Sequence, residues 1–292
     1  MREEITMRAI RFLFVAIPGV ALLCTPGLAW DKPGDAGPQL FQTSDRCMAC
    51  HNQLVGPDGE DISIGADWRP TMMGNAARDP YWHGAVRREV TDHPTAQAAI
   101  EAECSKCHMP LSASTAHAAG GEGQILAHLA GETPDAAMAM DGVSCTLCHQ
   151  ITPEGLGEES SFVGHFDIHH DTAWGEREIY GPYDVDAGRT RVMQSASHYA
   201  PAEADQLRSA ELCATCHTLI THALGPDGSV IGELPEQVPY QEWQHSVYGG
   251  FQTCQDCHMR PLDEPVAISS TVGQPREKVA PHVFRGGNFF MP

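Results

Sequence analysis

Ten of the eleven cysteines in this 292-residue chain stand in five copies of one frame. The copies are Cys47-Met-Ala-Cys50-His51, Cys104-Ser-Lys-Cys107-His108, Cys145-Thr-Leu-Cys148-His149, Cys213-Ala-Thr-Cys216-His217 and Cys254-Gln-Asp-Cys257-His258. Each reads C-x-x-C-H, the attachment pattern of c-type haem. The chemistry explains the spacing: one turn carries two sulfurs that form thioethers to two vinyl groups, and the next residue turns its imidazole onto the iron. Zinc ribbons also use C-x-x-C units, but five units cannot pair off, and zinc does not require a histidine after each second cysteine. A redox C-x-x-C usually occurs once, beside a βαβ pattern that this chain lacks. Disulfides would leave the five histidines unexplained. The frames therefore predict five covalently bound haems, with His51, His108, His149, His217 and His258 as proximal iron ligands.

Haem at this density restricts the fold. Residues 1–29 read as a secretory signal peptide, with Arg8 and Arg11 before the apolar run Phe12–Cys24 and a small-residue site ending at Ala29. The run is too short and broken for a comfortable membrane span. The eleventh cysteine, Cys24, leaves with the signal. Export to the periplasm or cell surface follows, with no transmembrane span in the mature chain. Residues 30–292 then serve five haems, too few for a separate protein core under each. The expected fold is mainly α with extensive irregular loops, a multihaem cytochrome c fold in which stacked haems form the core. The 28 glycines and 21 prolines argue against long helices or a wide sheet.

The order of landmarks occurs twice. After His51 come Gly56-Pro57-Asp58-Gly59, Ile64-Gly65, Trp68 and Cys104-x-x-Cys-His-Met109. After His217 come Gly225-Pro226-Asp227-Gly228, Ile231-Gly232, Trp243 and Cys254-x-x-Cys-His-Met259. Repeat-like units over 40–110 and 205–262 are expected, with the third haem between them around 140–150. Both Gly-Pro-Asp-Gly segments read as tight turns. Helices are expected over Thr95–Cys107 and Ala202–His217, and irregular chain over 152–200.

The sequence resembles bacterial multihaem c-type cytochromes of the cytochrome c-prime-like grouping, which includes the tetrahaem electron acceptor of hydroxylamine oxidation. Members often carry a Trp-x-x-Ser-x-His segment whose histidine is a distal ligand. Here Trp68-Arg-Pro-Thr71-Met72-Met73 puts Met73 in that position. Trp243-Gln-His245-Ser246-Val-Tyr248 puts Tyr248 there, with His245 nearby. His282-Val-Phe284-Arg-Gly286-Gly287 is similar to distal-histidine segments of the grouping, and His198 has a similar look. Position and resemblance together point to Met73, His117, His198, His245 and His282 as sixth ligands, with His93, His128 and His170 next.

Two functional classes follow. The first is an electron carrier without a catalytic group, whose 38 acidic against 18 basic residues, net −20, suit a redox partner with a basic docking surface. That charge excludes nucleic acid as a default partner. The second is a multihaem reductase or oxidase of a small nitrogen or sulfur compound with one open iron. The third haem is the candidate there, followed closely by His165, His169, His170, Tyr180 and Tyr183. No C-x-x-C-K frame of the kind found in some such enzymes occurs. Membrane-associated or filament assembly is a further expectation.

Overall fold

The computed structural model describes residues 39–286; the expected signal peptide with Cys24, and Gly287 of the last motif, lie outside the described residues. Helix makes up about 38% and strand 11%. The longest helices are Pro80–Asp92, Gln97–His108 and Ala187–Ser197. Local chemistry starts two of them. Asp79 accepts a hydrogen bond from the Tyr81 N–H ahead of Pro80 at the first turn, and Asp186 accepts from Gly188 and Arg189. The helix expected over Thr95–Cys107 forms as Gln97–His108, entered through a 3-10 turn at Pro94–Ala96.

Two expectations of local structure are corrected. Ala202–His217 is not one helix. Its start lies in the strand Ala200–Glu203, which pairs in parallel with Glu178–Gly181. A 3-10 turn at Asp205–Arg208 and the five-residue helix Ala210–Ala214 follow. Pairing with a distant strand overrides the helix propensity of the alanines. Residues 152–200 are not wholly irregular, because the Asp186 cap starts the eleven-residue helix ending at Ser197. His198 closes that helix in the left-handed region, φ 62°.

Three two-stranded sheets are present among the described residues. The longest is the antiparallel hairpin Leu219–Leu224 with Val230–Gln237. Its turn is Gly225-Pro226-Asp227-Gly228, where the Gly228 N–H donates to the Gly225 carbonyl at 2.9 Å and the Gly225 N–H to Ser229 at 2.7 Å. Gly56-Pro57-Asp58-Gly59 makes the same two bonds, Gly59 to Gly56 at 3.1 Å and Gly56 to Glu60 at 2.8 Å. Gly59 and Gly228 have φ of 83° and 78°, which a side chain would resist. The likeness extends to each tryptophan. Thr71 Oγ1 donates to the Trp68 carbonyl and Ser246 Oγ to the Trp243 carbonyl, both at 2.8 Å.

The apolar core is divided. Trp82, Val86, Met109 and Ile125 belong to one cluster, Leu40, Phe41, Leu111 and Leu147 to a second. Leu54, Ile62, Val266 and Val279 form a third, and Ala210, Ala214 and Tyr240 a fourth. Each holds only a handful of buried side chains, so hydrophobic burial is spread over separate patches. Buried carboxylates tie the chain between them. Asp141 accepts from the Ser44 N–H at 2.8 Å and hydroxyl at 2.9 Å, and from the Ser144 hydroxyl. Glu101 accepts from the N–H groups of Ile125 and Leu126 at 2.7 and 2.9 Å. No helix among the described residues is long and apolar enough to cross a membrane.

Candidate metal centres

Each C-x-x-C-H frame folds as one helical turn. In the first, third and fourth frames the histidine N–H donates to the carbonyl of the leading cysteine, at 3.0, 3.2 and 2.9 Å. The second and fifth frames lie within the helices Gln97–His108 and Cys254–His258. Positions i, i+3 and i+4 of a helix share one face, so both sulfurs and the imidazole of a frame project to the same side. The fifth turn is further fixed by a capping box between Thr253 and Asp256.

The imidazoles are oriented from behind. His51 Nδ1 lies 2.6 Å from the Ile268 carbonyl, His108 Nδ1 3.1 Å from Ala76, and His149 Nδ1 2.6 Å from Tyr180. His258 Nδ1 is bonded to the Arg285 carbonyl. A carbonyl only accepts, so Nδ1 carries the proton in all four and Nε2 keeps its lone pair. That is the arrangement by which a metal-binding histidine is held in one tautomer. Burial pushes the proton affinity of His51, His108, His149 and His217 down, which favours the neutral, ligating form. For His217 the Gln237 side chain opposes that shift. Trp82 stacks face to face on His108, centroids 4.3 Å apart and planes 3° apart, which fixes the ring a second way.

One proximal candidate faces a distal candidate. The rings of His149 and His282 have centroids 6.3 Å apart and planes 15° apart. Two imidazoles bound to opposite sides of one metal, each through a nitrogen about 2 Å from it, have centroids about 6 Å apart. His282 is half-buried, its Nδ1 is shut off from solvent without a hydrogen-bond partner of good geometry, and desolvation followed by the neighbouring His149 pushes its pKa down to about 3. Both rings are therefore neutral near pH 7. His149 and His282 are thus placed to hold one metal ion between them.

The other distal candidates lie elsewhere. His117, His198 and His245 are exposed, with His198 tilted against Trp174 at 5.4 Å and His245 Nδ1 on the Gln241 carbonyl at 2.7 Å. Met73 is half-buried beside the third frame, its carbonyl accepting the Val143 N–H at 3.1 Å. His93 is half-buried with an unpartnered Nδ1. His128 is held by Thr133 at 2.5 Å and lies 3.6 Å from Asp135, and exposed His170 sits 3.5 Å from Asp171. The groups considered for an open third iron do not converge. Tyr180 Oη bonds Glu178 at 3.1 Å, Tyr183 Oη bonds the Glu277 carbonyl at 2.9 Å, and His165 Nε2 lies 3.1 Å from Lys106. Tyr180 enters the third centre through its carbonyl instead.

Cysteines of different frames meet. Cys47 faces Cys145, Cys107 faces Cys216, and Cys213 faces Cys254. Cys148 lies near Cys216 and Cys213. Shared backbone contacts agree with this. Thr146 Oγ1 donates to the Gln42 carbonyl at 2.8 Å between the first and third frames. Gly164 donates its N–H to the Thr215 carbonyl at 2.6 Å, and a Cβ at Gly164 would stand 3.6 Å from Cys107 Sγ. Gln255 Nε2 donates to the Ser209 carbonyl at 2.7 Å between the fourth and fifth. None of the ten described cysteines is in a disulfide. Burial pushes Cys104 up to about 11 and Cys148 to about 12. Among the described residues no three His, Cys, Asp or Glu side chains converge as a metal site.

Sequence reasoning missed the carbonyls of Ala76, Tyr180, Ile268 and Arg285, because any residue type supplies a carbonyl. It also missed Trp82, whose only signal was its place one helix ahead of the second frame. No family model matches the chain, and no curated protein or solved structure is significantly similar to it.

Proposed function

We propose that this chain is an exported five-haem c-type cytochrome that passes electrons between redox partners. The observation that carries the reading is the His149–His282 pair, two half-buried neutral imidazoles whose spacing would admit one iron between them. Five one-turn frames with sulfurs and imidazole on one face support it, as do four histidines whose Nδ1 protons are bound from behind. Haem supplies one-electron chemistry at its iron. The two cysteines of each frame would anchor a ring, and the histidine would present Nε2 to its iron.

Adjacent thioether cysteines bring haem edges together, and the contacts of the frames suggest a branched path. The first frame adjoins the third, the third the fourth, and the fourth also the second and fifth, so haems held there would be neighbours in that order. Electrons entering at any end would then pass through the fourth haem or its neighbour. The net charge of −20, before the haem propionates are counted, suits docking to a basic partner, at a rate that falls as salt is raised. The His282 ring opposite His149 weighs against the third iron as an open catalytic site.

The test is the mass of the purified protein, followed by electron paramagnetic resonance of its oxidised form and carbon monoxide addition to its reduced form. Five covalent haems with no stoichiometric carbon monoxide adduct is the expected result. A mass without haem overturns the reading, and an adduct at one iron in five moves it to a reductase or oxidase.

A further inference from the structure

Arg177 is among the most buried side chains of the protein, with 2% of its surface exposed. Its guanidinium uses two of its five N–H donors: Nε donates to Gln150 Oε1 at 3.0 Å and Nη1 to the Thr172 carbonyl at 3.3 Å. Both acceptors are neutral. Each ion pair among the described residues joins other groups, and no carboxylate of theirs meets Arg177. Its chain neighbours Glu176 and Glu178 are exposed. The nearby Tyr199 hydroxyl is no counter-charge: burial keeps it protonated, and it donates to the Leu40 carbonyl at 3.0 Å. A guanidinium does not lose its proton at any ordinary pH, and a buried charge without a counter-charge costs several kcal/mol.

The surroundings say where the missing anion belongs. Gln150 directly follows His149 and donates to the Leu40 carbonyl at 3.0 Å and the Thr146 carbonyl at 2.7 Å. Tyr199 lies near Cys47. Arg177 thus stands at the junction of the first and third frames, two residues from the strand position whose neighbour Tyr180 orients His149. We propose that Arg177 pairs with a propionate carboxylate of the haem at the first or third frame and holds it ionised inside the protein. The inference rests on the five-haem reading: a haem held at either frame would bring the carboxylate that none of the described residues provides. A planar guanidinium with an unused edge is matched to a carboxylate through two parallel hydrogen bonds.

The test uses the holoprotein. Mass is read first on the wild type: absence of covalent haem removes the five-haem reading and the pairing with it. With five haems present, the potential of each is followed by spectroelectrochemistry between pH 5 and 9 in Arg177→Gln and Arg177→Lys. Loss of the cation disfavours the reduced iron, so one haem of the first and third should show a reduction constant about tenfold lower in Arg177→Gln, 59 mV for one electron. The freed propionate then takes up a proton within the range, giving that haem a pH dependence that the wild type lacks, and Arg177→Lys should restore both properties in part. Which haem moves identifies the carboxylate. Five unmoved potentials, or a uniform loss of stability without pH dependence, overturns the pairing while leaving the five-haem reading intact. If Arg177→Gln does not mature, the wild type decides. Its reduced-minus-oxidised infrared spectrum should carry a guanidinium band that shifts with 15N-arginine and is absent in Arg177→Lys; no isotope-sensitive band overturns the pairing.

Discussion

The Ile268 carbonyl bonds Nδ1 of His51 at 2.6 Å across 217 positions of sequence. The segment after the fifth frame continues in this way. Ser270 donates to the Cys50 carbonyl at 2.8 Å, His282 faces His149, and Arg285 bonds His258. The stretch after the fifth frame therefore contacts the first, third and fifth centres. Ending the chain after Leu262 should leave the second and fourth haems attached and low-spin, and should turn the third to high-spin. Haem-to-protein ratio together with paramagnetic resonance checks this, and an unchanged low-spin count would remove the structural role of the segment.

His282→Ala isolates one contact of that segment. One iron in five should lose its sixth ligand, show a high-spin signal and bind carbon monoxide stoichiometrically when reduced. The other four should keep their spectra. If the variant keeps five low-spin irons, His282 is not a ligand.

Without haem the chain should not hold its fold. Most of its buried apolar residues among those described lie in four separate clusters of three to six side chains, and on the five-haem reading the rings would supply much of the connecting apolar surface. Protein made under haem limitation should show circular dichroism of a largely unfolded chain with no cooperative thermal transition. A cooperative melt of the haem-free protein would contradict this.

Glu101 gives stability a pH dependence of known sign. Burial raises its pKa, but hydrogen bonds from Gln97, Ile125 and Leu126 outweigh that and hold it below the usual carboxylate value. A carboxyl with a lowered folded pKa contributes stability above its unfolded pKa, near 4.3, and loses it as the pH falls through the folded value. Glu101→Gln should cost about 1–3 kcal/mol at pH 7, because two buried N–H groups lose a charged acceptor. The gap between wild type and variant should close on acidification below pH 4. Thermal melts of both holoproteins across pH 3–7 check it, and a gap that widens toward acid would reverse the assignment.

Much of each centre was legible along the chain because it is local. Cysteine at i and i+3 with histidine at i+4 share a helical face in any context, and Gly-Pro-Asp-Gly closes the same turn at 56–59 and 225–228 because proline and glycine set the backbone there. The reach of Ala202–His217 was not legible, since a strand partner 22 residues upstream decides whether Ala200–Glu203 extends. Nor was the choice among eleven further histidines. His117, His198 and His245 look as suitable as His282 in sequence, and only packing buries His282 against His149.

Sequence alone determined the five anchoring frames, their proposed cofactor and the acidic surface, since these depend on residue identity and short spacing. Tertiary structure decided which frames adjoin, which carbonyl fixes each imidazole, and that Arg177 meets no carboxylate among the described residues. Those relationships join positions tens to hundreds of residues apart through backbone groups that every residue carries, so no residue type announces them in advance.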